Sequence, residues 1–261
     1  MRVIQKAFQI PAYYASFPLF AALSFGLNCF CLLFGWLPGL AGRERFFQRL
    51  VHWDFAIFVW WISLVRVARV RYEGFARWPE RSGLVVVANH PGLMDAGWLF
   101  ARVREAMCIY KPAVGHNPLF GATARCAGFL ANDRGYHLLR TAAAKVAAGH
   151  TLLVFPEGTR TLSGDLNPLK SGFVVMARVA RAPIQLVHIA CDSALMTKTG
   201  KWWRVPRLPA TVTLTLGPCL PPPGDDTAAV VAAIESWFRA SSAASRPSCA
   251  PQEPSRFPAR T

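Results

Sequence analysis

The sequence predicts an α/β domain built on a mixed, mostly parallel sheet flanked by helices, with an apolar helical membrane segment ahead of it. Three observations carry this. Residues 7–42 contain no Asp, Glu, Lys or Arg. From about residue 67 short apolar runs alternate with stretches of helical period, the pattern of strand–helix–strand units. One of those runs, Leu84–Ala88, is apolar throughout, as in a strand covered on both faces.

The charge-free stretch is longer than the roughly 20 residues of one membrane-crossing helix and short for two with a turn. Pro11, Pro18, Gly26, Asn28 and Pro38 interrupt it. Arg2 and Lys6 precede it and Arg43, Arg45 and Arg49 follow, so the positive-inside rule selects no orientation. A tilted or re-entrant helical hairpin keeps both flanks on one side, expected to be the cytoplasmic face of the inner membrane. The run is too long for a cleavable signal peptide and shows no small-residue cleavage site. A second apolar run, Phe55–Val65, is too short to span; with Trp60 and Trp61 it suits the interface, or else the core.

Strands are expected at Val67–Tyr72, Leu84–Ala88, Ala106–Tyr110, Phe129–Ala131, Thr151–Phe155, Ile184–Ala190 and Thr211–Leu216. Helices are expected at Leu93–Val103, Leu119–Cys126, Tyr136–Ala148, Gly172–Ala180 and Thr227–Ala240. Pro118 suits a helix start, Gly149 a stop and Asp226 a cap. The chain thus divides into a membrane-associating region over 1–66, a catalytic domain over 67–240 and a Ser-, Pro- and Ala-rich tail over 241–261, expected to be disordered. There are no internal repeats.

Hydrophobic residues make up 53% of the chain and charged residues 16%, against about 25% charged in soluble domains. With 29 Lys and Arg against 14 Asp and Glu, the net charge is +15, which favours a polyanionic partner. The aromatics do not interleave with the basic residues as a nucleic-acid platform requires. Membrane lipids are therefore the expected partner, and nucleic acid is not. The seven cysteines are odd in number, with no metal-ligand spacing, and read as reduced thiols with no bound metal. Oligomeric state is left open.

Two segments carry chemistry. Asn89-His90-Pro91-Gly92-Leu93-Met94-Asp95 follows the Leu84–Ala88 strand, at the sheet edge where α/β folds build active sites. From the first turn of the next helix, the Asp95 carboxylate can reach back to His90 Nδ1. That fixes the tautomer and leaves Nε2 free to take a proton. Phe155-Pro156-Glu157-Gly158-Thr159-Arg160 ends another apolar strand. There Gly158 permits close backbone approach and Arg160 offers a planar fork to a phosphate, while Glu157 is expected to orient an arginine or bind substrate hydroxyls. Taken alone, a His followed five residues later by an Asp is weak evidence of catalysis and is more often structural.

These segments resemble the glycerolipid acyltransferase family, which includes the 1-acylglycerol-3-phosphate acyltransferases. His90 to Asp95 matches its H-x4-D motif and Phe155–Arg160 its F-P-E-G-T-R motif. Gly128 to Gly135 looks like the intermediate motif, whose arginine, here Arg134, binds the acceptor phosphate. Ala182-Pro183-Ile184-Gln185-Leu186-Val187 is similar to the fourth. Lys111, Gly121, Lys170 and Gly172 stand where members often carry such residues. Gly92 and Asn132 depart from the pattern, the first replacing a small polar residue and the second an apolar one.

The resemblance covers about residues 67–220 and implies a glycerol-3-phosphate acyltransferase-like fold. It implies transfer of a fatty acyl group from acyl-CoA or acyl carrier protein to a lysophospholipid hydroxyl, most simply that of 1-acylglycerol-3-phosphate, with no metal or organic cofactor. On this reading His90 and Asp95 are catalytic, and Arg134, Glu157, Gly158, Thr159, Arg160, Lys111 and Lys170 bind substrate. The rivals are transfer to another lysolipid or hydroxylated metabolite, a thioesterase, and a non-catalytic lipid-binding protein. No G-x-S-x-G nucleophile elbow is present.

Overall fold

The computed structural model describes residues 2–37, 39–40, 43–80, 82–133, 135–161, 166–193 and 204–245. The apolar stretch forms one continuous helix, α1 (Arg2–Phe34), running through Pro11 and Pro18. Both prolines expected to interrupt it are accommodated. Each removes only one backbone donor, and a helix held on one face by packing tolerates that loss. The hairpin is instead made by α1 with α2 (Glu44–Leu64), which absorbs the second apolar run. Phe20 packs on Phe58 at 5.0 Å between ring centroids, while Ser24 donates to Asp54 at 3.5 Å. Residue numbers rise on one helix as they fall on the other, so the pair is antiparallel.

Helix α1 is long and apolar enough to cross a membrane, and 17% of that segment is buried within the chain. A core helix would be mostly covered. Phe8, Phe25, Leu32, Leu33, Trp53, Ile57, Trp60 and Leu64 of the hairpin all point outward. The adjacent tryptophans divide: Trp60 is exposed, whereas the indole N–H of Trp61 is buried with no partner among the described residues.

Seven strands follow: β1 (Ala68–Glu73), β2 (Leu84–Ala88), β3 (Ala106–Tyr110), β4 (Leu130–Ala131), β5 (Thr151–Val154), β6 (Ile184–Cys191) and β7 (Ala210–Leu220). They form a sheet of order β1-β7-β6-β2-β5-β3-β4. The β6–β7 pair is antiparallel, and the other pairs are parallel. Every residue of β2 is buried, as its unbroken apolar run requires for a central strand. On one face the hairpin, α3 (Asp95–Phe100) and α5 (Gly121–Cys126) cover the sheet. On the other lie α6 (Tyr136–Ala147), α7 (Gly172–Ala180) and α8 (Thr227–Ser245). A short α4 (Pro112–Gly115) follows β3.

Several boundaries differ from expectation for local reasons. Helix α5 starts after Leu119 because the Leu119 N–H donates to the Asn117 side chain at 2.8 Å, an Asx turn that occupies the Pro118 segment. Strand β7 continues through Gly217 and Pro218. Its partner β1 ends opposite Thr215, and a strand with one free edge tolerates proline. Helix α8 extends to Ser245, so its last turn takes in residues expected to be tail, where Ser242 Oγ lies 3.2 Å from His188 Nε2. Residues 246–261, the rest of that tail, lie outside the described residues. At the other end of α8, Asp226 caps the helix by accepting from the Ala229 N–H at 2.9 Å.

Candidate active site

Strands β2, β5, β3 and β4 run parallel in that order, so the segments after them emerge at one sheet edge. His90 follows β2, the Phe155–Arg160 turn follows β5, Lys111 follows β3 and Asn132 and Asp133 follow β4. Neighbouring strands lie about 4.8 Å apart, so Lys111 emerges about 10 Å from the His90 loop.

His90 is fixed on three sides. Its Nδ1 lies 2.8 Å from Asp95 Oδ2, its backbone N–H donates to Glu157 Oε1 at 2.8 Å, and its ring stacks on Phe155 at 4.5 Å. Just before it, the Asn89 amide exchanges two hydrogen bonds with the Ile189 backbone. That side chain extends the β2–β6 ladder one step beyond Ala88. The loop is rigid up to the imidazole, while the imidazole itself stays 22% exposed. A carboxylate on Nδ1 leaves Nε2 as the nitrogen that can accept a proton from outside.

Asp95 opens α3 instead of lying a turn inside it, because its Oδ2 also accepts from the Gly92 N–H at 2.7 Å and closes a tight turn ahead of the helix. Burial pushes its carboxyl above the ordinary range, opposed by the His90 hydrogen bond and charge and by the Gly92 N–H. Gly92 lies on the His90 loop and Gly158 on the turn after β5. Both N–H groups are committed elsewhere, Gly92 to Asp95 and Gly158 to the Phe155 carbonyl.

Glu157 differs from its expected role. It is buried and accepts from the His90 N–H, the Thr161 hydroxyl, and both the backbone N–H and the side chain of Asn167. With both oxygens occupied, it braces two loops and presents no free face to a substrate hydroxyl or an arginine. The Thr161 N–H adds a bond to the His90 carbonyl at 2.9 Å. Gly158 has φ +67, and a side chain there would lie 3.0 Å from Lys170 Nζ, so the Lys170 ammonium covers the turn. Thr159 and Arg160 lie half-buried on that turn, and Lys111 is exposed. Arg134 lies outside the described residues; its neighbour Asp133 is exposed.

The structure thus joins His90, Asp95 and Glu157 by hydrogen bonds and sets Lys170 over Gly158 on the adjoining turn, with Lys111 and Asp133 farther along the same edge. Sequence reasoning missed Asn89, Thr161 and Asn167. Only the Asn167-Pro168 turn signal hinted at the last. Among the described residues no group of three or more His, Cys, Asp or Glu is arranged to hold a metal ion.

The mixed sheet thus gathers a histidine–carboxylate pair and a charged turn at one edge. Residues 69–190 match the model of the Acyltransferase family. A 1-acyl-sn-glycerol-3-phosphate acyltransferase of Pseudomonas aeruginosa is 25% identical over 201 residues, covering 74% of this chain and 75% of that protein. One from Cocos nucifera is 32% identical over 109 residues, 38% of this chain and 35% of that protein. One from Helicobacter pylori is 31% identical over 39% of this chain and 46% of that protein. The match thus spans well under two thirds of the coconut and Helicobacter relatives. The crystal structure of the 1-acyl-sn-glycerophosphate acyltransferase PlsC from Thermotoga maritima shares the fold, with a TM-score of 0.72 at 22% identity over 94% of this chain and 100% of that one.

Proposed function

We propose that this chain transfers a fatty acyl group from acyl-CoA or acyl carrier protein to the free hydroxyl of 1-acylglycerol-3-phosphate, at the cytoplasmic face of a membrane, in phospholipid biosynthesis. The observation that carries the reading is the 2.8 Å contact between His90 and the buried Asp95, with the imidazole left partly exposed. The names of the relatives support the acceptor.

In this mechanism Asp95 holds the imidazole, and His90 Nε2 takes the proton of the acceptor hydroxyl. The freed oxygen attacks the thioester carbonyl, the carbon–sulfur bond breaks, and the thiolate leaves with the proton that His90 returns. No metal or organic cofactor takes part. Arg134 and Arg160 hold the acceptor phosphate, with Lys111 and Lys170 contributing positive charge at the same edge. Gly158 and Thr159 shape the turn, and Glu157 holds His90 in place through its backbone. The exposed apolar residues of α1 and α2, with the 57% exposed Leu93 beside His90, seat the site against the bilayer where the acceptor resides.

The test is transfer from a labelled acyl-CoA to lysophosphatidate in vesicles. His90→Ala is expected to lower kcat by about 10² to 10⁴ while the protein keeps its fold. Near-normal turnover in that variant removes His90 as the base. Arg160→Ala should raise the KM for lysophosphatidate and leave that for the donor unchanged. Thioester cleavage that ignores added acceptor would replace this reading with a thioesterase.

A further inference from the structure

Helix α5 is six residues long, too short to hold itself together. Its first-turn N–H groups need acceptors, yet its N-cap residue Phe120 supplies no side-chain bond. The acceptor comes from the apolar hairpin. Asn28, buried in the C-terminal part of α1, accepts from the N–H groups of Ala122 at 2.8 Å and Thr123 at 3.1 Å. Its amide nitrogen donates to the Pro118 carbonyl at 2.8 Å. At the other end of α5, Gln48 of α2 donates to the Ala127 carbonyl at 2.9 Å. Gly128, with φ +70, then lies flush against the Glu44 carboxylate, where any Cβ would collide at 2.2 Å.

From Gly128 the chain passes directly into β4, an edge strand of two residues. Its register rests on Leu130 and Ala131 against β3 and on the Asn132 N–H to the Tyr110 carbonyl. The Asn132–Asp133 turn follows at once. A strand this short cannot set its own position, so α5 sets it, and α5 is set by two amides of the hairpin. A buried amide is costly unless its polar atoms are bonded, and both the oxygen and the nitrogen of Asn28 have partners.

We infer that Asn28 and Gln48 are positioning residues for the acceptor-binding loop: the helices facing the membrane also align the turn proposed to hold the acceptor phosphate. The inference rests on the proposed role of that loop in acceptor binding. Neither residue touches substrate.

The test uses the full-length chain in phosphatidylcholine vesicles, with lysophosphatidate as acceptor and oleoyl-CoA as donor. Hydrogen–deuterium exchange is followed over residues 129–132 in the same samples. Asn28→Ala and Gln48→Ala should each raise the KM for lysophosphatidate about tenfold, the cost of one or two buried bonds. The kcat and the KM for oleoyl-CoA should stay unchanged, and deuterium uptake over 129–132 should rise. Asn28→Asp keeps an acceptor for the α5 N–H groups but sets an oxygen against the Pro118 carbonyl, so it should restore part of the acceptor affinity. Gln48→Glu sets an oxygen against the Ala127 carbonyl and should not restore it. An unchanged KM for lysophosphatidate, or an equal rise in both KM values, overturns the inference. So does an Asn28→Asp variant no better than Asn28→Ala. Should the unmodified chain fail to acylate lysophosphatidate, the acceptor assignment falls separately, and unchanged uptake over 129–132 in Asn28→Ala overturns the mechanical link by itself.

Discussion

Asp95 and Glu157 are buried carboxylates at the same sheet edge, and both touch His90, yet they do opposite work. Asp95 meets the imidazole at Nδ1 and has one further donor, the Gly92 N–H. Its main partner is a ring that stays 22% exposed, so a proton arriving at the far nitrogen is felt at the carboxylate. Glu157 meets the His90 backbone and three more donor groups from Thr161 and Asn167, all of which end within the protein. A carboxylate's role is therefore decided by its donors: one leading outward makes an orienting group, and a closed set makes a brace.

Substitutions at the two positions should separate these roles. The largest effect is expected for Asp95→Asn, which presents an amide to Nδ1 and favours the wrong tautomer. A fall in kcat of about 10² to 10⁴ with small loss of stability is the expected outcome of steady-state kinetics and thermal melting.

The same variant carries a pH signature. Burial raises the Asp95 carboxyl above its ordinary 3.8 in the folded chain, so the folded state keeps that proton to a higher pH than the unfolded chain. This contribution to stability is fully present below the unfolded value and is lost as pH rises through the folded one. Asp95→Asn removes it, so the variant's melting temperature should gain on that of the parent as pH is raised. A parallel pair of melting curves would show the carboxyl to be unperturbed.

Glu157→Gln comes next. The new NH2 faces groups that donate, leaving at least one buried donor unmet at a cost of about 2 kcal/mol. Here stability and kcat should fall together, because the His90 backbone loses its anchor. If kcat or acceptor KM collapses with the melting temperature intact, Glu157 meets substrate after all.

Gly158→Ala is the smallest change. At φ +67 an L-residue costs about 1 kcal/mol, and the Lys170 side chain must shift a few tenths of an ångström. A modest drop in melting temperature is expected, with turnover nearly kept.

The sheet was legible because its signal is short-range. Leu84–Ala88 and Ala106–Tyr110 are apolar runs with turn residues beside them, and both strands form at the expected bounds. The His90–Asp95 pair was legible for the same reason, since five residues bring a loop and a helix start within reach of each other. Misreadings arose where distant packing intervenes. Pro11 and Pro18 stay helical on the exposed side of a helix whose other face packs on α2, and α8 gains a turn against His188.

The sequence by itself determined the class of fold, the apolar helical segment and the pairing of His90 with Asp95, because hydrophobic period and residue spacing act over a few residues. Tertiary structure alone decided that Glu157 is a brace and that Asn28 caps α5. Those bonds join residues 67 and 94 positions apart. Hydrogen-bond donors are chosen by proximity in space, which residue spacing along the chain does not encode.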